Sequence, residues 1–356
     1  MIEPAHKKIL YCVLNWGLGH ATRSIPVIRA LQAKGYEVEI ASDGGPLTFL
    51  RKTFPDCQSH ALQGYNITYP TSSVFLNAIS QLRNMFRAVS TERRQIAALV
   101  TQHKYSAIIS DNRYGCYHPS IPSILITHQL RNLAQTSLMS KPGEWLVNGY
   151  LRHFDEIWIP DTPDRMLSGK LTDVSMKKVR FIGHLSDQVY SPMEKQNDIA
   201  AILSGPEPQR TKLEEEILPQ LANYPGKCVL VQGLITHDPP RQEGNVTIYP
   251  YLDRPAINML LNSSEVILCR TGYSSLMDLL QVGAKAILIP TPGQPEQIYL
   301  GERMQEYEQF VVQKQGGVDV VEGIEHLKNQ VFMHEPEQHT EILEIALRSL
   351  KRTNQY

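Results

Sequence analysis

The chain has 356 residues, 42% of them hydrophobic, and its 35 basic side chains balance 36 acidic ones. At about 100–200 residues per domain this length predicts two domains, each able to bury its own core, and a formal net charge of -1 excludes a nucleic-acid binder that works mainly through a basic excess. The longest apolar run, Ile9–Leu14, is shorter than the about 20 residues of a membrane span and the about 7–15 of a signal-peptide core, so neither is expected. In chain order, Lys7–Leu14 reads as a buried strand and Ala21–Lys34 as an amphipathic helix closed by Gly35. Glu37–Ser42 is a second strand and Phe75–His103 a long helix, followed by strands at Ser106–Ser110, Ser123–Thr127, Glu156–Ile159 and Lys178–Ile182. A second series opens with a strand at Ile199–Leu203 and a helix at Thr211–Leu221. Strands at Lys227–Val231, Val246–Tyr249 and Val266–Cys269 follow, then a helix at Ser275–Val282, a strand at Lys285–Ile289, a helix at Gln297–Tyr307 and a helical tail over Glu322–Lys351.

Strand and helix alternation of this length predicts an α/β protein whose parallel sheets are covered on both faces. The break falls in Gly183–Asn197, which lacks periodicity and holds Pro192, giving domains 1–185 and 186–356. In open parallel sheets ligands sit beyond the carboxyl ends of the strands, so two facing Rossmann-like sheets would hold a ligand in a cleft. Cys12, Cys57, Cys116, Cys228 and Cys269 form no CxxC and are odd in number. They read as free thiols of a reducing, cytoplasmic compartment, with no disulfide framework and no zinc site.

Two motifs carry chemistry. The first is Asn15-Trp16-Gly17-Leu18-Gly19-His20-Ala21-Thr22-Arg23-Ser24, between the first strand and the first helix. Its glycines let backbone N–H groups approach a ligand, and the helix start favours negative charge. Gly17-Leu18-Gly19-His20-Ala21-Thr22 nearly fits a dinucleotide fingerprint but lacks the third glycine, and Asp43 stands somewhat late for the acid of that pattern. His20, at a helix start, is expected to be neutral and able to take a proton. Asp111, just past a strand of the same sheet, would be the carboxylate that orients it; the other reading is that His20 caps a backbone carbonyl and Asp111 a turn.

The second motif runs Val266-Ile267-Leu268-Cys269-Arg270-Thr271-Gly272-Tyr273-Ser274-Ser275-Leu276-Met277-Asp278, then Gly283 to Pro290. A strand ends in Arg-Thr-Gly and a helix begins at once with hydroxyl residues. Backbone N–H groups, hydroxyls and the Arg270 guanidinium in one small volume suit a diphosphate; an ordinary N-cap with a core arginine is the other reading. Asp278, about one turn further on, suits the vicinal hydroxyls of a ribose.

This block resembles the nucleotide-sugar site of GT-B glycosyltransferases, and most closely family 28, the peptidoglycan N-acetylglucosaminyltransferase-like family. The matching residues are Arg270-Thr271-Gly272, Asp278 in place of Glu, Pro290 at a strand end, Glu296-Gln297 in place of Gln-Gln, and Tyr251-Leu252-Asp253 as the segment that reads a uracil ring. Gly17-Leu18-Gly19-His20 resembles the first-domain loop whose histidine is a base paired with an aspartate, here Asp111. At motif level the likeness covers residues 15–24 and 246–300. Gly283-Ala284-Lys285 lacks the family proline. The entry loop Ser204-Gly205-Pro206-Glu207-Pro208 carries two prolines, which remove N–H donors. Either Arg210 compensates there or the loop contacts the donor less.

The resemblance implies an inverting transfer of a sugar from a UDP-linked donor to an acceptor hydroxyl, without metal or cofactor. His20 is the expected base and Asp111 its partner. Ser204, Gly205, Arg210, Leu252, Arg270, Thr271, Gly272, Tyr273, Ser274, Ser275, Asp278, Glu296 and Gln297 are expected at the donor, and Asn15, Gly17 and Gly19 at an acceptor or phosphate. The expected partners are the nucleotide-sugar donor and an acceptor that is a lipid, a glycan or a small molecule, with no nucleic acid. A cytoplasmic protein, with peripheral contact at the inner face of a membrane left open, fits that chemistry. Three other readings stand beside it: a nucleotide-sugar 2-epimerase, a non-catalytic binding or scaffold protein, and an NAD-dependent dehydrogenase using Gly17 and Asp43. Arg83, Arg87 and Arg94 share a helix face and read as solvated or as a contact with an anionic surface. Gly64–Ser73, with its aromatic residues, is a candidate acceptor loop, and His118 and His128 are candidate acceptor contacts.

Overall fold

A computed structural model describes residues 8–64, 74–131, 148–234, 236, 238–328, 330, 343–344 and 346–347. The chain divides into two compact units, Met1–Leu185 with Gln338–Tyr356, and Ser186–Glu337. The described residues near the chain end, 343–344 and 346–347, group with the first unit, whereas the sequence places all of 186–356 in one domain. Lys34, at the end of the first helix, pairs with Glu344, a contact between residues far apart in sequence that no local pattern announces.

The first unit is a seven-stranded sheet in the order β3-β2-β1-β4-β5-β6-β7. Its strands are β1 (Lys8–Val13), β2 (Glu37–Ser42), β3 (Ser59–Ala61), β4 (Ala107–Asp111), β5 (Ser123–Ile126), β6 (Glu156–Ile159) and β7 (Val179–Phe181), all parallel. The central strands are continuous apolar runs because helices cover both faces. Helix α1 (Gly19–Ala33) follows β1, α2 (Gly44–Thr53) follows β2, and α3 (Val74–Gln102) leads to β4. Register decides which side chain meets which helix. Leu10 pairs Ile108 and Cys12 pairs Ser110; Leu10, Cys12 and Ile108 pack with Ile96 of α3. Alternation turns Val13 and its partner Asp111 to the other face, where the start of α1 lies.

The strand order reverses between β1 and β4, the switch point where such folds open a crevice. Beyond it, Asn112 takes a left-handed φ of 60°, a conformation asparagine tolerates. The chain therefore turns, and Arg113 enters the α3 side. There its fully buried guanidinium donates to Glu92 Oε1 at 2.6 Å and to Asp43 Oδ1 at 2.6 Å.

The second unit repeats the plan, in the order β10-β11-β9-β8-β12-β13-β14. The strands are β8 (Asn197–Ile202), β9 (Cys228–Val231), β10 (Arg241–Glu243), β11 (Val246–Tyr249), β12 (Ser264–Cys269), β13 (Lys285–Leu288) and β14 (Phe310–Val312). Only the β10–β11 pair is antiparallel. Helices α4 (Gln209–Asn223) and α8 (Val320–Lys328) set Leu213, Ile217, Leu221, Val320, Ile324 and Leu327 against Ile199, Leu230 and Leu268. Helices α5 (Arg254–Ser263), α6 (Tyr273–Val282) and α7 (Pro295–Met304) complete the unit. Its switch point lies between β8 and β12, so the loops after those strands meet at one edge.

The sequence reading did not contain α2, β3, β10, α5 or β14. The strands β3, β10 and β14 have three residues each, too few for a period to declare itself, while α2 and α5 open on Gly44-Gly45-Pro46 and Arg254-Pro255, residues that punctuate like turns. Of the expected helical tail, α8 covers the start; residues 331–342 and 348–351 lie outside the described residues, as do residues 65–73 of the expected acceptor loop.

Within the first core, Glu39 of β2 is fully buried. It accepts from Lys8 Nζ at 2.7 Å, His60 Nε2 at 2.7 Å and the Tyr105 hydroxyl. Burial pushes its carboxyl up, but these partners prevail and hold it at about 2, below its usual 4.5. A folded-state value under the unfolded one stabilises fully above pH 4.5 and is lost as pH falls toward about 2. The unfolding midpoint of the chain should therefore decline across that window, and Glu39→Gln should be less stable at pH 7 and flatter on the acid side. Denaturant unfolding at a series of pH values checks this, and identical acid curves for the two proteins would contradict it.

Candidate active site

At the first switch point Gly17, with φ 73°, bends the chain out of β1, and Gly19 opens α1. His20 follows in the first turn, and Asp111 ends β4. The structure brings the two together: His20 Nδ1 lies 2.8 Å from Asp111 Oδ1. Asp111 is fully buried, while 12% of the His20 side chain remains exposed. A carboxylate facing Nδ1 selects the tautomer with its proton there. Nε2, which has no hydrogen bond among the described residues, then carries the lone pair. The backbone braces the histidine too, since Ser24 Oγ donates to its carbonyl at 2.7 Å.

Burial, and then the charge of Arg23, lower the proton affinity of His20 from its ordinary 6.5, against the pull of Asp111. Asp111 is held well below the carboxylate range: burial alone would raise it, but Arg23 and His20 outweigh that. This site is thus a neutral imidazole on an ionised aspartate, an arrangement suited to accepting a proton.

Sequence reasoning named Arg23 only as part of the motif and gave it no role. It donates from Nε to Asp111 Oδ2 at 2.7 Å, from Nη2 to Oδ1, and from Nη1 to His128 Nδ1 at 2.9 Å. The signal was available: Arg23 stands three residues after His20, on the same helix face. Trp16, 64% exposed beside Gly17, is a second residue the reading passed over, and a large exposed aromatic next to a reactive group is a surface on which a ligand ring can lie.

Asn15 is exposed and donates to Asp43 Oδ2 at 2.8 Å. Gly44, with φ 53°, leaves room for that contact, because a Cβ there would stand 2.5 Å from Asn15 Nδ2. With Oδ1 held by Arg113, both oxygens of Asp43 are engaged, so it is a loop fastener and not an open ribose acceptor. His118 Nδ1 accepts from Ser120 N within its own turn. Arg87 and Arg94 are exposed on α3, and the side chain of Arg83 lies outside the described residues.

At the second switch point several expected donor residues do other work. Arg270 is 1% exposed. It donates from Nη2 to Gln209 O at 2.7 Å and Gln315 Oε1 at 2.8 Å, and from Nη1 to Ile289 O and Pro290 O at 3.4 Å, while Nε has no partner. Burial lowers its pKa to about 10. Arg270 thus ties together the loops after β8, β13 and β14.

Arg210 is likewise committed, to Glu207 at 2.6 Å and Glu214 at 2.7 Å, so it does not compensate for the prolines. Asp278 accepts from Ser186 Oγ at 2.5 Å and from Arg254 Nη1 at 2.9 Å; its carboxylate is already held by a cation that the sequence reading did not connect to it. Gln297 spends its amide inside its own loop, accepting from Thr291 N and donating to Gln294 Oε1, both at 2.8 Å. Its carbonyl receives the buried Thr271 hydroxyl at 2.7 Å.

What faces solvent at this edge is a smaller set: exposed Ser204 and Gly205, and half-buried Leu252, Gly272, Ser274, Ser275 and Glu296; Tyr273 is buried. Gly272 caps α6 in extended conformation. It has no side chain to occupy the first-turn amides, which have no intrahelical acceptors and form the positive end of the dipole. A Cβ on Gly205, whose φ is 104°, would lie 3.8 Å from Thr291 Oγ1, so the loops after β8 and β13 adjoin. An anionic group matches this edge through backbone amides and hydroxyls.

Among the described residues one set has metal-ligand spacing, Glu39, His60 and His103, with ligand atoms within 4.8 Å of one another. It lies away from both switch points, and Lys8 already supplies the positive charge that a cation would bring. No helix among the described residues is long and apolar enough to cross a membrane.

Comparison with known proteins agrees with this plan. Residues 7–130 match the model of glycosyl transferase family 1, and residues 230–330 that of the glycosyltransferase family 28 C-terminal domain. A UDP-N-acetylglucosamine--N-acetylmuramyl-(pentapeptide) pyrophosphoryl-undecaprenol N-acetylglucosamine transferase from Sulfurihydrogenibium sp. (strain YO3AOP1) is 29% identical over 123 residues, 34% of this chain and 33% of that protein. The match thus spans about a third of the relative's length. Among solved structures, the glycotransferase of kitacinnamycin superposes with a TM-score of 0.64 at 16% identity, covering 98% of this chain and 96% of that one. MurG of Acinetobacter baumannii does so with a TM-score of 0.54 at 11% identity, covering 96% and 99%. At these identities the superpositions show the fold.

Replacing Arg270 by Met strands its carbonyl partners, at about 1–3 kcal/mol for each acceptor left dry. Arg270→Met should lose roughly 3 kcal/mol of protection in amide hydrogen exchange across β12 and β13, and Arg270→Lys should recover little, because one ammonium cannot span the same acceptors. Unchanged protection would contradict the bracing role.

Proposed function

We propose that this chain, whose residues 230–330 match the glycosyltransferase family 28 C-terminal domain, is a GT-B glycosyltransferase that moves a sugar from a UDP-linked donor to an acceptor hydroxyl with inversion. The observation that carries the reading is the His20–Asp111 pair, 2.8 Å apart, with the Nε2 lone pair of a neutral imidazole beside the crevice of the first sheet. The acceptor binds on the first unit and the donor on the second. The acceptor oxygen attacks the anomeric carbon as the bond from that carbon to the diphosphate oxygen breaks. The bonding pair leaves on the diphosphate, and the acceptor proton passes to Nε2. Asp111 holds the ring and steadies the imidazolium that forms.

On the donor side, the amides of the Gly272–Ser275 turn and the Ser204–Gly205 loop meet the growing charge of the diphosphate, so the reading calls on no metal or cofactor. Leu252 is assigned to the uracil ring of the donor and Glu296, in the first turn of α7, to its sugar. Asp278 can hold a ribose only if Arg254 comes with it as part of the site. The relative named above is a pyrophosphoryl-undecaprenol N-acetylglucosamine transferase; a lipid-linked, glycan or small-molecule hydroxyl is the acceptor class here, and the free cysteines fit a cytoplasmic protein.

One observation favours a second reading, a transferase-like protein that binds a sugar nucleotide without turning it over. The side chains of Arg210, Arg270 and Gln297 are all spent inside the fold, which leaves the donor edge to backbone and hydroxyl groups. UDP release from UDP-sugars with an acceptor panel separates the readings, and donor alone exposes an epimerase. We expect His20→Ala to keep its fold, read by circular dichroism, and to lose about 10²–10⁴-fold in turnover; turnover within a few-fold of wild type would reject the base.

The sign of the pH dependence follows from the environment of His20. A proton affinity below the ordinary 6.5 keeps the base form through neutral pH. The rate should therefore be flat across neutrality and fall only on the acid side of 6.5. A rate that already declines between pH 8 and pH 7, read in the same assay, would contradict this.

A further inference from the structure

Arg23 takes no proton in the reaction above, yet all three of its guanidinium nitrogens are committed. Its side chain is 2% exposed. It grips both oxygens of Asp111, rests its Nη2 2.9 Å from His20 Nδ1, and turns its Nη1 to His128 Nδ1 at 2.9 Å. A guanidinium has no lone pair to offer. The facing nitrogen of His128 is therefore an unprotonated acceptor, and His128 anchors the far end of the fork.

Nδ1 of His20 faces two groups of opposite sign. The Asp111 oxygen accepts its proton, so Nη2 can only lie beside that N–H and add positive charge next to the ring. In an aspartate–histidine pair by itself the carboxylate favours imidazolium. Here the guanidinium neutralises that carboxylate and opposes a second positive charge a few ångströms away. The groups that face His20 are Arg23 from its own helix, Asp111 from β4 and His128 beyond β5; Tyr11 of β1 borders Asp111 and Arg23 from behind. Of these only Arg23 is a fixed cation, as guanidinium does not titrate in this range.

We propose that Arg23, anchored by His128, is the positioning residue that fixes His20 as a neutral Nδ1–H imidazole with Nε2 open, by satisfying Asp111 and standing against a charged ring. The proposal rests on the reading of His20 as the base, but its structural content is testable without turnover.

The experiment is a nitrogen-15 NMR titration of the histidines in the full chain, with His20 assigned through His20→Ala, alongside the pH profile of UDP release. In wild type, His20 should show the Nδ1–H tautomer and titrate below 6.5. Arg23→Met should raise the midpoint by about one pH unit or more, and the acid limb of turnover should move up by the same amount, so that activity lost at pH 6 returns in part as pH rises. Arg23→Gln, which keeps a donor for Asp111 without the charge, should shift the midpoint in the same direction and serves if the Met variant does not fold. Arg23→Lys should keep the midpoint within about half a unit, since the charge stays, but lower kcat. His128→Leu should raise the midpoint less than Arg23→Met does.

An unmoved midpoint in both Arg23→Met and Arg23→Gln would overturn the proposal. So would a wild-type His20 that carries its proton on Nε2, or an activity loss in Arg23→Met that is equal at every pH. A shifted midpoint in a protein for which no UDP-sugar turns over would support the role of Arg23 while rejecting the functional reading, so the two failures are distinguishable.

Discussion

The ion pair between Asp111 and Arg23 is the constraint around which the first unit is arranged. A fully buried carboxylate at the end of a central strand is costly unless a cation and its hydrogen bonds come with it. Arg23 is the cation, and satisfying both oxygens of Asp111 fixes the distance and rotation of α1 against β4. His20, three residues earlier on that helix, is thereby carried to the same carboxylate. The reactive geometry is a consequence of solving a burial problem: the side chain that neutralises Asp111 also positions the ring beside it.

The same physics recurs with different partners. Arg113 is buried against Glu92 and Asp43 and fastens the loop after β2 to α3. Arg270 is buried against carbonyls and an amide and fastens three loops of the second unit. Each guanidinium stands near the carboxyl edge of its sheet, where loops must be held in place for a ligand to find a formed surface. At the second switch point this leaves ligand recognition to the α6 amides and to hydroxyls, which is the part of the motif that glycine at position 272 keeps accessible.

The sequence was legible where pattern and burial coincide. Runs such as Ile9–Leu14 and Val266–Cys269 announce central strands because both of their faces are covered. The order of the elements gave two parallel sheets, and the strand–glycine–helix pattern located both switch points. The His20–Asp111 pair could be proposed because a strand end and a helix start of one parallel sheet have few places to be. Short elements such as β14 were not legible, nor was the grouping of residues 343–344 with the first unit, where Glu344 pairs with Lys34. The direction of a long side chain was illegible as well. Arg270 and Gln297 occupy motif positions, but whether a guanidinium or amide faces a ligand or its own loop depends on which carbonyls lie within reach, and only tertiary structure supplies those. Asp278 was read without Arg254 for the same reason, since the two sit on different helices.

The central proposal is that this chain serves a nucleoside diphosphate sugar and not a dinucleotide. Calorimetric titration of the intact chain with UDP, and separately with NAD, tests it most directly. The account predicts saturable binding of UDP that uridine alone does not match, because the α6 amides act on the phosphates, and no binding of NAD, because Asp43 is already held by Asn15 and Arg113. Binding of NAD with none of UDP would contradict it.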